Sequence, residues 1–68
     1  MKVFRYTQNN LIWGERILLI AADDIDACEQ FLPNTTHSRV PAVYDREEIK
    51  GLTYDGGVGI IEHFYWEE

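Results

Sequence analysis

The chain has one cysteine, Cys28, so no disulfide can form within it and no disulfide framework supports the fold. Long hydrophobic runs are missing as well. The longest, residues 17–22, falls far short of the roughly 20 apolar residues that span a bilayer. No charged start leads into an extended apolar segment of the signal-peptide kind, and a cytoplasmic protein with no membrane partner is expected. Cations are scarce: Lys and Arg number 6 against 12 Asp and Glu, for a formal net charge of −6. Residues 17–38 and 51–68 hold no Lys or Arg at all. Direct nucleic-acid binding needs cations laid against phosphates. The six present are interleaved with Glu15, Asp45, Glu47 and Glu48, which argues against such binding.

What is present is apolar enough to fold. The 68 residues are 46% hydrophobic, with two Trp, four Tyr and three Phe, whereas disorder needs low hydrophobicity together with high charge. One small domain, 1–68, is expected, near the lower size limit for a core without staples. Modest stability, or a homo-oligomer that enlarges the core, follows from that size.

Residues 2–7 are rich in β-branched and aromatic side chains and read as a first strand. Asn9 and Asn10 tolerate the left-handed backbone of tight turns, and Trp13-Gly14 is a second turn signal, so the hairpin tip falls between Gln8 and Glu15. Residues 17–22 read as a central strand, apolar on both sides. Asp23 or Asp24 offers a helix N-cap, and Pro33 stops the helix near Leu32. Ile25, Cys28, Phe31 and Leu32 share one face at helical spacing, with Asp24, Asp26, Glu29 and Gln30 outside. Residues 34–38 form a polar loop, residues 40–44 an extended link, and residues 45–48 a helical turn or solvated bend. Residues 48–53 and 58–66 then pair as a hairpin around Asp55-Gly56-Gly57. The expected fold is α+β: a β-β-α-β-β antiparallel sheet with one helix packed on one face.

Signals for chemistry are weak. Cys28, His37 and His63 lack the close ligand pairs that announce zinc, and Cys28 reads as a small core residue. Asp23, Asp24 and Asp26 lack the glycine and terminal glutamate of a calcium loop and read as capping and solvation. Gly56-Gly57-Val58-Gly59 leads into a strand rather than a helix and has no cation at hand, so a phosphate cradle is not indicated. No second catalytic group is tied to His63 by spacing, and Ser38 with the two histidines matches no triad pattern. No enzyme, metal or cofactor is expected.

Two features point to a protein partner. The cation-free helix presents Asp24, Asp26 and Glu29 as a negative face that would steer a basic surface. The last strand carries more aromatic groups than one sheet face buries. Along it, Val58, Ile60, Glu62, Phe64 and Trp66 alternate with Gly59, Ile61, His63, Tyr65 and Glu67. The first set is the more apolar and is expected in the core, which leaves Ile61, His63 and Tyr65 as an uncovered partner patch. A structural subunit that homodimerises through its C-terminal strand is the alternative.

The strand Ile17-Leu18-Leu19-Ile20-Ala21-Ala22 ending in small residues, the acidic helix start at Asp23 and the closing hairpin resemble a class of small phage and mobile-element proteins. The likeness covers residues 17–32 and the C-terminal hairpin, about half the chain. Some proteins of this size and acidity resemble inhibitors of bacterial defence systems. The resemblance implies an accessory or inhibitor protein that binds other proteins without catalysis. The class shares no site motif, so it assigns no role to any residue.

Overall fold

The computed structural model describes residues 1–34 and 41–68. His37, Ser38 and the start of the 40–44 link lie outside the described residues. Among the described residues, four strands and one helix follow in the order β1 (Lys2–Gln8), β2 (Gly14–Ala22), α1 (Ile25–Glu29), β3 (Tyr44–Thr53) and β4 (Gly59–Glu67). Every strand pairing is antiparallel, and the spatial order is β3-β1-β2-β4. The fold is the expected α+β arrangement.

Strand β2 is central because both of its faces are apolar. Leu18, Ile20 and Ala22 point to one side, where they form a buried cluster with Phe4, Tyr6 and Cys28. Ile17, Leu19 and Ala21 point to the other side. Helix α1 covers only the first side. Its N-cap is Asp24, whose Oδ1 accepts a hydrogen bond from the Ala27 N–H at 2.8 Å.

The helix is shorter than its sequence spacing predicts. It stops at Glu29, well before Pro33, and its inward residues are Ala27 and Cys28, with Leu32 from the following turn. Ile25 and Phe31 are exposed, which corrects the expected buried face. One turn and a half of helix is too short to hold a full 3.6-residue stripe against the sheet.

Residues 45–48 are neither a helical turn nor a bend but the first half of β3. Their weak strand preference is overridden by pairing with β1, where Arg5 forms an ion pair with Glu47 and Asn9 Nδ2 donates to Asp45 at 3.0 Å. The asparagines of the first hairpin also dock the start of β3. Asn10 Nδ2 donates to the Pro41 carbonyl at 2.7 Å, and the Asn9 N–H donates to the Val43 carbonyl at 2.9 Å.

A second correction concerns the C-terminal half. Strands β3 and β4 do not pair with each other; they occupy opposite edges of the sheet. Gly56 and Gly57 do not take the positive φ of a tight hairpin turn. Residues 54–58 instead pass the ends of β1 and β2, about 14 Å at three strand spacings, which an extended segment of that length reaches. The Tyr54 N–H donates to the Met1 carbonyl along the way, at 2.9 Å.

Candidate interaction surface

The register of β4 decides which side chains meet solvent. Ile17 faces Phe64, Leu18 faces His63 and Leu19 faces Glu62, but Ile20 faces Ile60. Ile61 is therefore the extra residue of a β-bulge, and the strand changes phase there. Beyond the bulge, Glu62, Phe64 and Trp66 lie on the side of the sheet opposite α1. His63, Tyr65 and Glu67 lie on the helix side. This reverses the expected assignment for those residues, because a shift of one residue moves every side chain to the other face. No β4 residue belongs to the buried cluster.

The face opposite α1 is built from all four strands. Arg5, Ile17, Leu19, Ile49, Glu62 and Phe64 line a groove of about 400 Å³ on it. Phe64 is 54% exposed and Trp66 47% exposed. Val3 and Ala21 are buried at the end of this face where residues 54–58 connect the two edges. At the opposite end stands Trp13, 68% exposed, whose carbonyl accepts from the Glu68 N–H at 2.9 Å. The next residue, Gly14, lies so close to β4 that a Cβ there would overlap the Trp66 carbonyl oxygen.

Acidic groups surround this apolar surface. Glu15 sits opposite Trp66, Glu62 lines the groove and Glu68 follows β4. Among the described residues, no cation forms an ion pair with any of these three.

The six side chains expected to contact a partner fall into two groups, both on the helix side of the sheet or at the bulge. Asp24 is occupied as an N-cap, Asp26 is exposed in the first turn, and Glu29 pairs with Arg46 of β3 at 3.1 Å. Two of the three acids thus have structural work. Ile61 is half-buried in the bulge. The His63 and Tyr65 rings stack with centroids 6.3 Å apart, and the Arg16 guanidinium lies 3.9 Å from the Tyr65 ring centroid. The Tyr65 hydroxyl donates to Glu67 Oε1 at 2.6 Å. Partial desolvation, and then the Arg16 charge, push the His63 imidazole below its ordinary pKa.

Cys28 lies in the buried cluster beside Tyr6. Burial pushes its thiol up, assisted by the nearby carboxylates of Glu29 and Asp24. Burial likewise raises the Tyr6 phenol, with Glu29 adding to the effect. Both shifts favour the protonated forms, the thiol and the phenol. Among the described residues, no group of three or more His, Cys, Asp and Glu side chains is placed to hold a metal ion.

Sequence reasoning missed Phe64 and Trp66 as surface residues, along with the groove formed by Ile17, Leu19 and Ile49. One signal was available: both aromatics share a strand face with Glu62, and a charged residue marks that face as wet. No protein-family model, curated protein or solved structure matches the chain.

Proposed function

We propose that this protein is a non-enzymatic binding module that grips another protein with the face of its sheet opposite α1. The observation that carries this reading is the apolar groove between Arg5 and Glu62, floored by Ile17, Leu19 and Ile49 and flanked by the exposed Phe64. A small protein that leaves such a surface open has a use for it, since contiguous apolar patches mark interaction sites. Phe64 and Trp66 are suited to act as anchors, because aromatics dominate the energetics of interfaces. The acidic rim selects a partner with basic residues around an apolar projection. Binding without chemistry is also what the resemblance to phage and mobile-element proteins implies.

The negative face of α1 is the weaker part of the surface, because capping and the Arg46 pair engage Asp24 and Glu29. A homodimer through β4 is a second reading, favoured by a nine-residue edge strand that contains neither Lys nor Pro.

Affinity capture from the native host with three forms of the protein tests the proposal. A partner held by the wild type and by Asp26→Lys, but lost by Phe64→Glu, is the expected result. Equal capture by Phe64→Glu would remove the groove from the interface, and loss with Asp26→Lys alone would move the interface to the helix. Mass measured by light scattering over a range of concentrations decides the homodimer reading.

A further inference from the structure

The groove on the face opposite α1 is a trough that runs along β2. One row of opposed residues across it reads Arg5, Leu19, Glu62, and the next reads Thr7, Ile17, Phe64. Leu19 and Ile17 are the floor, and the walls stand on β1 and β4, two strand spacings or about 9.5 Å apart. A helix with its side chains is roughly 10–12 Å across. From Ala21 to Glu15 the trough is about 20 Å long at the strand rise, which a helix of roughly 13 residues fills. Strands β1 and β2 are each paired along both edges, so the floor offers side chains and no backbone partner. A segment laid there must satisfy its own N–H and C=O groups, and the α-helix does so within itself. The charges around the trough do not balance. Arg5 is paired with Glu47, whereas no cation among the described residues pairs with Glu62 or with Glu15 beside Trp66.

From this geometry we infer that the occupant is a basic, amphipathic α-helix of another protein, lying along β2. Its apolar stripe rests on Ile17, Leu19 and Phe64, and its Lys or Arg residues face Glu62 and Glu15. This inference rests on the binding-module reading above and gives the partner a shape. Apolar residues at helical spacing form a stripe of the required width, with the flanking positions left for cations. The docked helix adds a layer to the sheet, as α1 does on the other face. Charge is the reason for a foreign helix over a second copy. Two stacked copies would bring Glu62 and Glu15 of one chain against those of the other, on chains that each carry a net charge of −6. The one helix among the described residues, α1, has five residues and no Lys or Arg, so a second copy has no such helix to offer.

The test uses the full chain and a capped peptide of two Leu-Lys-Lys-Leu-Leu-Lys-Lys heptads, in which leucine follows the helical period. A peptide of the same length that alternates Lys and Leu is the strand-period control. Binding is followed by NMR shifts of the protein and by circular dichroism of the peptide. The helical peptide should shift Ile17, Leu19, Ile49 and Phe64, gain helix on binding, and bind at least roughly tenfold more tightly than the alternating one. Phe64→Ala should weaken it at least roughly tenfold. Glu62→Gln should weaken it by about threefold or more, whereas Asp26→Asn, which removes the same charge from α1, should change affinity by less than about twofold. Equal weakening by Glu62→Gln and Asp26→Asn would reduce the binding to net charge and overturn the inference. An alternating peptide that binds within that tenfold and shifts the same floor residues would overturn the helix and leave the groove reading intact. No binding of the helical peptide to the wild type would also overturn the inference; the groove reading falls only if Phe64→Glu captures the host partner as well as the wild type does. Shifts of Ile17 and Leu19 in the free protein that change on dilution would assign the trough to a second copy and overturn the foreign helix.

Discussion

Strands β3 and β4 close the two ends of one sheet, and they meet solvent in opposite ways. Strand β3 carries Asp45, Arg46, Glu47, Glu48 and Lys50 within ten residues and is broken by a bulge near Gly51, whose φ of 80° is left-handed. Its charges are tied back to the fold, Arg46 to Glu29 on the helix and Glu47 to Arg5 on β1. Strand β4 carries no cation, and Ile60, Phe64, Tyr65 and Trp66 are all exposed on it. Charges and bulges are the devices that protect a sheet edge from further pairing. Strand β3 carries both devices, whereas β4 has a bulge at Ile61 but no Lys or Arg.

The comparison can be broken at the strand both halves depend on. Leu18 is fully buried in β2 and faces Tyr6 of β1 and His63 of β4. Leu18→Ala should cost about 2–5 kcal/mol, enough to threaten a domain this small, and should loosen both edges together. Chemical denaturation with exchange at each edge checks it; loosening of one edge only would mean the two are not coupled through β2.

Detaching β4 alone is a smaller perturbation. Gly14→Val places a side chain against the Trp66 carbonyl, so it should destabilise by about 1–3 kcal/mol and speed exchange at Trp66 and Glu68. The β3 amides Asp45 and Glu47 should keep their protection.

Giving β4 the character of β3 sharpens the contrast. Phe64 is more than half exposed, so Phe64→Lys should change stability by less than about 1 kcal/mol and still abolish partner binding. Denaturation and capture measured on the same preparation would separate the two effects.

The guard on β3 is expected to be weak energetically. Glu29→Gln breaks the exposed pair with Arg46 and should cost roughly 0–1 kcal/mol, less at high salt. Melting temperature at two ionic strengths is the measurement.

The smallest effect belongs to His63. Its folded pKa lies below its unfolded value of about 6.5, so the native state favours the neutral ring. The stability this contributes is present above about pH 6.5 and is lost as pH falls through the lower, folded value. A His63→Gln protein should show a shallower loss of stability between about pH 7 and 5 than the wild type. An unchanged pH profile would show that the imidazole is not desolvated on β4.

The residues themselves determined a good deal. The apolar run 17–22 made β2 central, Asp23 and Asp24 marked the N-cap of α1, and the asparagines with Trp13-Gly14 bounded the first hairpin tip between Gln8 and Glu15. These features depend on interactions between near neighbours or on a strand that must be buried on both sides, and local pattern is enough to express them. The acidic balance and the cation-free last strand were likewise plain, and they shape the proposed partner. Only the tertiary structure decided the rest. The Asp55-Gly56-Gly57 segment had the composition of a tight turn, yet β1 and β2 stand between β3 and β4. Asp45, Arg46 and Glu47 became strand because β1 offered pairing that their own preferences did not predict. The faces of β4 were decided by one bulged residue, Ile61. An alternation of period two has no memory of which side is the core, so only the register against β2 could place Phe64 and Trp66 on the open surface.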